Sequence, residues 1–160
     1  MTETTSQDYS QASLLHLDWE RFHQDSLRLS RQLKEMGRSW NGLVAITRGG
    51  LAPAMIVARA LGIRKVETLS IASYDEQHQG EAHILKGAIA AMDNGGQGWL
   101  VIDDLTDSGV TAKLARQLLP QAFIAAVYAK PKGAPTLDLY AEEVEQAVWV
   151  VFPWDADGEE

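Results

Sequence analysis

The chain has 160 residues, 46% of them hydrophobic and 22% charged, and contains no cysteine. This length suits one domain, and the composition excludes a disordered or fibrous chain. The lack of cysteine excludes disulfides, thiolate metal sites and cysteine nucleophiles, and the formal net charge of −8 argues against nonspecific binding to nucleic acid or an anionic membrane.

Residues 1–13 open with a polar stretch (MTETTSQDYSQ) that has neither the basic nor the apolar region of a targeting signal. They read as a mobile tail before a single domain spanning 14–155, which an acidic tail (ADGEE) follows at 156–160. No apolar run approaches the ~20 residues needed to cross a bilayer. Trp19, Phe22, Ser26, Leu29, Leu33 and Met36 recur at helical spacing, between a capping Asp18 and a stop at Gly37. Gly42 to Thr47 (GLVAIT) reads as a buried strand that breaks at Arg48-Gly49-Gly50. A second helix follows, with Pro53 in its first turn and Gly62 beyond its end. Ile63 to Ala72 reads as a strand, Ser73 to Ala82 as a polar loop, and His83 to Gly87 as a short returning strand.

The turn signal DNGGQG precedes Trp99 to Asp103 (WLVID), the clearest buried strand. Gly109 to Leu119 is helical up to Pro120, and Phe123 to Ala129 and Ala147 to Phe152 read as the remaining strands. Apolar strands alternating with helices predict an α/β fold with a mostly parallel central sheet flanked by helices. In such folds ligands bind beyond the carboxyl ends of the strands.

The richest of those ends is Val101 to Thr111, VIDDLTDSGVT. Small residues with free amides at a helix start make a phosphate cradle at the positive end of the dipole. Two carboxylates closing a strand suit ribose hydroxyls or a hard divalent cation. A solvated acidic turn capped by Asp107 or Ser108 is the plainer reading, and the flanking strand and helix weigh against it.

This string resembles the phosphoribosyl pyrophosphate motif of the type I phosphoribosyltransferases. Asn41 to Pro53 (NGLVAITRGGLAP), Leu61 to Val66, Ile71 to Asp75, Ala129 to Pro131 (AKP) and Pro153 to Asp155 (PWD) extend the likeness in order. Over about residues 16–155 the chain resembles the bacterial xanthine-guanine phosphoribosyltransferases. The resemblance implies a type I phosphoribosyltransferase-like fold with a small hood from the C-terminal segment. It also implies Mg2+ as cofactor, and transfer of a phosphoribosyl group to N9 of a 6-oxopurine.

Carried over residue by residue, the resemblance gives Arg48 and Gly49 to the pyrophosphate. Asp103 and Asp104 would meet the ribose hydroxyls, with Asp104 the metal contact. Ser108, Gly109, Val110 and Thr111 would cradle the 5′-phosphate. Asp107 would take the purine N7 proton as N9 attacks, its plainer role being a helix cap. Lys130 would donate to the 6-oxo group, and a lysine ammonium, which has no acceptor, cannot satisfy a 6-amino group in its place. Trp149 would stack on the base and Val150 would offer backbone contacts at its C2 side. Ser73, Tyr74 and Asp75 would open a flexible loop that closes over the site.

Four positions depart from the pattern: Thr106, Val110, Val150 and Gly80, the last standing where the subfamily carries an arginine. Lys86 is the next basic residue. Trp19, Trp40, Trp99 and Trp154 read as packing residues, and the four histidines lack metal-ligand spacing.

A phosphoribosyl pyrophosphate-sensing regulator of the same fold should carry an added basic face, and this chain has no Lys/Arg run. Pyrimidine or adenine specificity is disfavoured by Lys130 with Trp149. By resemblance the partners are phosphoribosyl pyrophosphate, 6-oxopurines and further copies of the chain in a homotetramer. Relatives also associate peripherally with the inner membrane, but no basic or amphipathic anchor is visible here, so the expectation is cytoplasmic. The acidic surplus falls entirely after Lys132, with fourteen acids balancing fourteen bases over residues 1–132.

Overall fold

In the computed structural model, which describes residues 13–73 and 81–155, two layers of helices sandwich one sheet. The elements in chain order are β1 (Leu14–His16), α1 (Trp19–Glu35), β2 (Gly42–Thr47), α2 (Leu51–Leu61), β3 (Val66–Ser73), β4 (Ala82–Lys86), α3 (Ile89–Met92), β5 (Trp99–Thr106), α4 (Val110–Leu118), β6 (Phe123–Ala129), β7 (Leu139–Glu143) and β8 (Trp149–Val151). The central sheet runs β4-β3-β2-β5-β6-β7, with every pairing parallel except β3 with β4. The predicted α/β class and mostly parallel sheet are what the chain adopts.

Alternation along the strands sorts the core into two faces. Leu43 and Ala45 of β2, and Leu100 and Ile102 of β5, pack with Phe22, Leu29 and Leu33 of α1 and with Ala54 and Val57 of α2. Val44, Ile46 and Val101 point the other way, toward Ala91 of α3 and Ala115 of α4. Helix boundaries follow local chemistry. The Asp18 carboxylate accepts from the Arg21 amide at 2.7 Å to start α1, and Gly62, at φ 69°, ends α2. The stripe predicted for α1 is buried at Phe22, Ser26, Leu29 and Leu33, whereas its ends Trp19 and Met36 are exposed.

The C-terminal strand forms the expected hood, with a partner from the start of the described chain. β8 does not join the central sheet; it pairs in parallel with β1 to make a separate two-stranded hood. The hood is therefore built from both ends of the described chain, not from the C-terminal segment alone. Ser13, assigned to the tail, already takes part, because its carbonyl accepts from the Trp149 amide at 2.9 Å. Phe22, Phe152 and Trp154 seat the hood on α1, with the Phe152 and Trp154 rings stacked 4.7 Å apart. Of the tryptophans read as packing residues, Trp99 is fully inside, while Trp19 and Trp154 meet at the surface as a tilted pair, ring centroids 5.9 Å apart.

Candidate active site

Three chain segments meet at the carboxyl ends of β2, β5 and β6. After β2, Arg48 is exposed on a turn whose Thr47–Arg48 peptide is cis. Gly49 on that turn lies against Asp104, and a β-carbon there would run into the carboxylate. The close approach is open only to glycine. It brings the Arg48 loop and the acid pair, far apart in sequence, into one site.

Asp103 and Asp104 lie in the second half of β5, which runs on past the expected end at Asp103 to Thr106, and as neighbours on a strand they point to opposite faces. The Asp103 Oδ1 accepts from the Asp104 amide at 2.8 Å, and the Asp104 Oδ1 from the Leu105 amide at 2.7 Å. Burial, and then the neighbouring Asp104 charge, push the Asp103 carboxyl well above the usual range. Burial raises Asp104 as well, and Asp155 adds to it with its own charge. Asp155 belongs to the PWD string but received no role from sequence; its carboxylate accepts from the Phe152 amide and contributes to the field at the acid pair.

The start of α4 follows. Asp107 and Ser108 are exposed, and Gly109 takes φ 90° before α4 begins at Val110, with Thr111 half-buried one residue on. At Gly109 a side chain would be strained by that φ and would also meet Thr136 at 2.6 Å. The amides of Ser108 to Thr111 thus open the N-terminus of a nine-residue helix.

Lys130 follows β6 and is buried, 4% exposed. Its ammonium lies 3.1 Å from the Asp107 Oδ2, and its backbone amide donates to the Thr106 carbonyl at 3.0 Å. The two residues carried over as base-recognising groups are therefore in direct contact. Gln146, which sequence reading did not single out, donates from Nε2 to the Asp107 Oδ1 at 2.8 Å. No local motif announces it, since its partner lies 39 positions away.

On the hood, Trp149 is half-exposed and Val150 buried. Trp149 gives its amide, and Val151 its carbonyl, to the β1 side. Alternation then turns the amide and carbonyl of Val150 to the opposite edge of β8, which no other strand covers among the described residues.

Ser73 ends β3, whereas Tyr74, Asp75 and Gly80 lie outside the described residues. Lys86, considered as a substitute for the missing loop arginine, donates instead to the carbonyls of Thr68 and Gly87 at 3.0 and 3.3 Å on the sheet edge. Among the described residues no group of three or more His, Cys, Asp or Glu is placed to hold a metal ion, and no helix is long and apolar enough to cross a membrane.

Comparison with known proteins points the same way. The model of the phosphoribosyl transferase domain matches residues 16–159. A hypothetical protein from Neisseria gonorrhoeae with bound ppGpp has a similar structure, with a TM-score of 0.72 at 22% identity over 91% of each chain. Purine phosphoribosyltransferase from Pyrococcus horikoshii aligns at TM-score 0.73 and 22% identity, covering 89% of this chain and 93% of that one. Helicobacter pylori xanthine-guanine-hypoxanthine phosphoribosyltransferase gives 0.70 and 21%, covering 91% and 95%. With nearly the whole chain inside the domain match, and the glycine loop, acid pair and helix start converging at one end of the sheet, this chain belongs to the phosphoribosyl transferase domain family.

Proposed function

We propose that the chain is a purine salvage enzyme moving the 5-phosphoribosyl group from phosphoribosyl pyrophosphate to N9 of guanine or xanthine, and less well hypoxanthine. The products are GMP or XMP and pyrophosphate. The observation that carries this reading is the buried Lys130 ammonium in contact with Asp107. A donor-only group beside an acceptor-only group matches the O6 and N7–H edge of a 6-oxopurine and mismatches a 6-amino group. Trp149 supplies a face for stacking, and the outward edge of Val150 supplies a donor and an acceptor for the C2 side.

In this reading the helix-start amides hold the 5′-phosphate and Arg48 holds the pyrophosphate, so C1 lies between the leaving group and the base. As N9 attacks, the C1–O bond to pyrophosphate breaks and Asp107 receives the N7 proton. Mg2+ fits the donor set. Two hard carboxylates, both raised above their usual range, share one part-buried site, and one or two carboxylates plus substrate phosphates is how proteins hold this ion. Asp104, with Asp103 behind it, would hold the ion, whose bound charge neutralises the pyrophosphate. The resemblance also supports a homotetramer acting in the cytoplasm.

The test is an assay of the purified chain with Mg2+, phosphoribosyl pyrophosphate and each of guanine, xanthine, hypoxanthine and adenine. Nucleotide should form with the first three and not with adenine; no nucleotide from any base rejects the proposal. Asp107→Asn should keep phosphoribosyl pyrophosphate binding and lose turnover by about 10²–10⁴-fold.

A further inference from the structure

Gln146 lies between β7 and β8, three residues before the stacking face of Trp149. Its Nε2 donates to the Asp107 Oδ1 at 2.8 Å, and its Oε1 accepts from the Lys132 amide at 2.9 Å. A backbone amide can only donate and an ionised carboxylate can only accept, so the two bonds together fix which way the Gln146 amide faces. One side chain thereby joins three segments: the hood, the turn carrying Asp107, and the turn after β6 that carries Lys130.

The consequence falls on Asp107. Its side chain is 51% exposed, and a carboxylate so exposed would rotate among rotamers if left alone. Here Lys130 holds one oxygen and Gln146 the other, from different segments. Any rotation of the carboxylate breaks one of the two contacts. The Lys130 contact must be shared with an arriving 6-oxo group, whereas the Gln146 contact need not be. We infer that Gln146 is a positioning residue for the transfer reaction: it fixes the Asp107 carboxylate in the orientation that takes the purine N7 proton, and ties that orientation to the seating of the hood on the base. The inference rests on the function proposed above.

A double-mutant cycle in steady-state kinetics tests it on the full chain, with Gln146→Leu, Asp107→Asn and the double variant. Gln146→Leu keeps much of the bulk and removes both hydrogen bonds. Its kcat should fall about 10- to 100-fold, the cost of a misplaced reacting group, with the KM for phosphoribosyl pyrophosphate within about twofold of wild type. In the Asp107→Asn background the same substitution should change kcat by less than about threefold, because no proton acceptor is left to orient. Gln146→Glu retains the acceptor for the Lys132 amide but cannot donate to Asp107, so it should be as slow as Gln146→Leu; it also serves in the cycle if the leucine variant does not fold.

Equal losses with and without Asp107 would mean a purely structural role and overturn the inference, as would a Gln146→Glu enzyme with wild-type turnover. A wild-type chain that acts on no base overturns the proposed function and this inference with it. An active wild type with additive losses overturns this inference alone.

Discussion

Asp103 and Asp104 sit side by side near the end of β5; burial makes both harder to ionise, and the Asp104 charge adds to the rise at Asp103. For a carboxyl raised by burial and a like charge, the sign of the pH effect is fixed. Its contribution to stability is whole below the unfolded value, about 3.9, and is lost as pH rises through the folded value. In EDTA the melting temperature should therefore fall as pH is raised from about 4 into that range, and Mg2+ should restore it. Asp103→Asn should flatten the profile and melt higher than wild type at neutral pH without metal, while losing activity. In a chain of this size each kcal/mol of relieved repulsion is worth about 2–4 °C. A variant that melts lower than wild type in EDTA would contradict the account. The acid pair was legible in the sequence because adjacent acids after an apolar strand form a local pattern. Gln146 was not, because what distinguishes it is a partner brought near only by folding.

Among the elements, α1 is tied to β6 and β7 by a polar cluster set into the core. The Tyr128 hydroxyl donates to the buried Asp25 Oδ2 at 2.6 Å, and the Arg21 Nε donates to the same oxygen at 2.9 Å. Arg21 and Arg28 reach onward to Glu142 at 2.8 and 2.9 Å. Burial alone would raise the Glu142 carboxyl, but the two arginines override it and hold it below its usual value. Burial, with the hydrogen bond to Asp25, pushes the Tyr128 hydroxyl up. Tyr128→Phe removes one bond to a buried charge and should cost about 1.5–3 kcal/mol in urea denaturation. A loss below about 0.5 kcal/mol would mean that the arginines alone satisfy Asp25. The strands show a similar division between local and long-range information. β6 was readable to the residue, since FIAAVYA is an uninterrupted apolar run. β7 (LYAEE) escaped because its side chains are only partly buried and two of its five are acidic. β1 escaped because three residues beside a polar tail carry no periodicity.

Across the whole molecule the acidic surplus is distributed with a purpose that sequence order hides. Asp138 is paired with Arg116 at 2.6 Å, and Glu142 with Arg21 and Arg28, so two of the late acids anchor β7 to earlier helices. Asp155 instead comes back to the acid pair, closing onto the site and not standing away from it. The hood depends in the same way on distant parts of the chain. Deleting residues 1–16 removes the partner of β8 and the carbonyl that accepts the Trp149 amide. The truncated chain should bind phosphoribosyl pyrophosphate nearly as well as the full one and bind purine at least tenfold more weakly. That figure is of the order of one lost stacking contact, about 1–3 kcal/mol, and isothermal titration with each ligand would measure it.

The parallel pairing of β1 with β8 also sets an order of assembly. A ribosome makes β1 before the central sheet and its partner after it, so the strand waits while the sheet, the glycine loop and the start of α4 are all completed. A nascent chain interrupted before Trp149 would own the Arg48 loop and the helix start proposed for the sugar phosphate, with Lys130 and Asp107, but not the Trp149 face proposed for the base. Under the proposed function, such a fragment would hold the donor without transferring it, and completion of β8 would bring the chain to turnover.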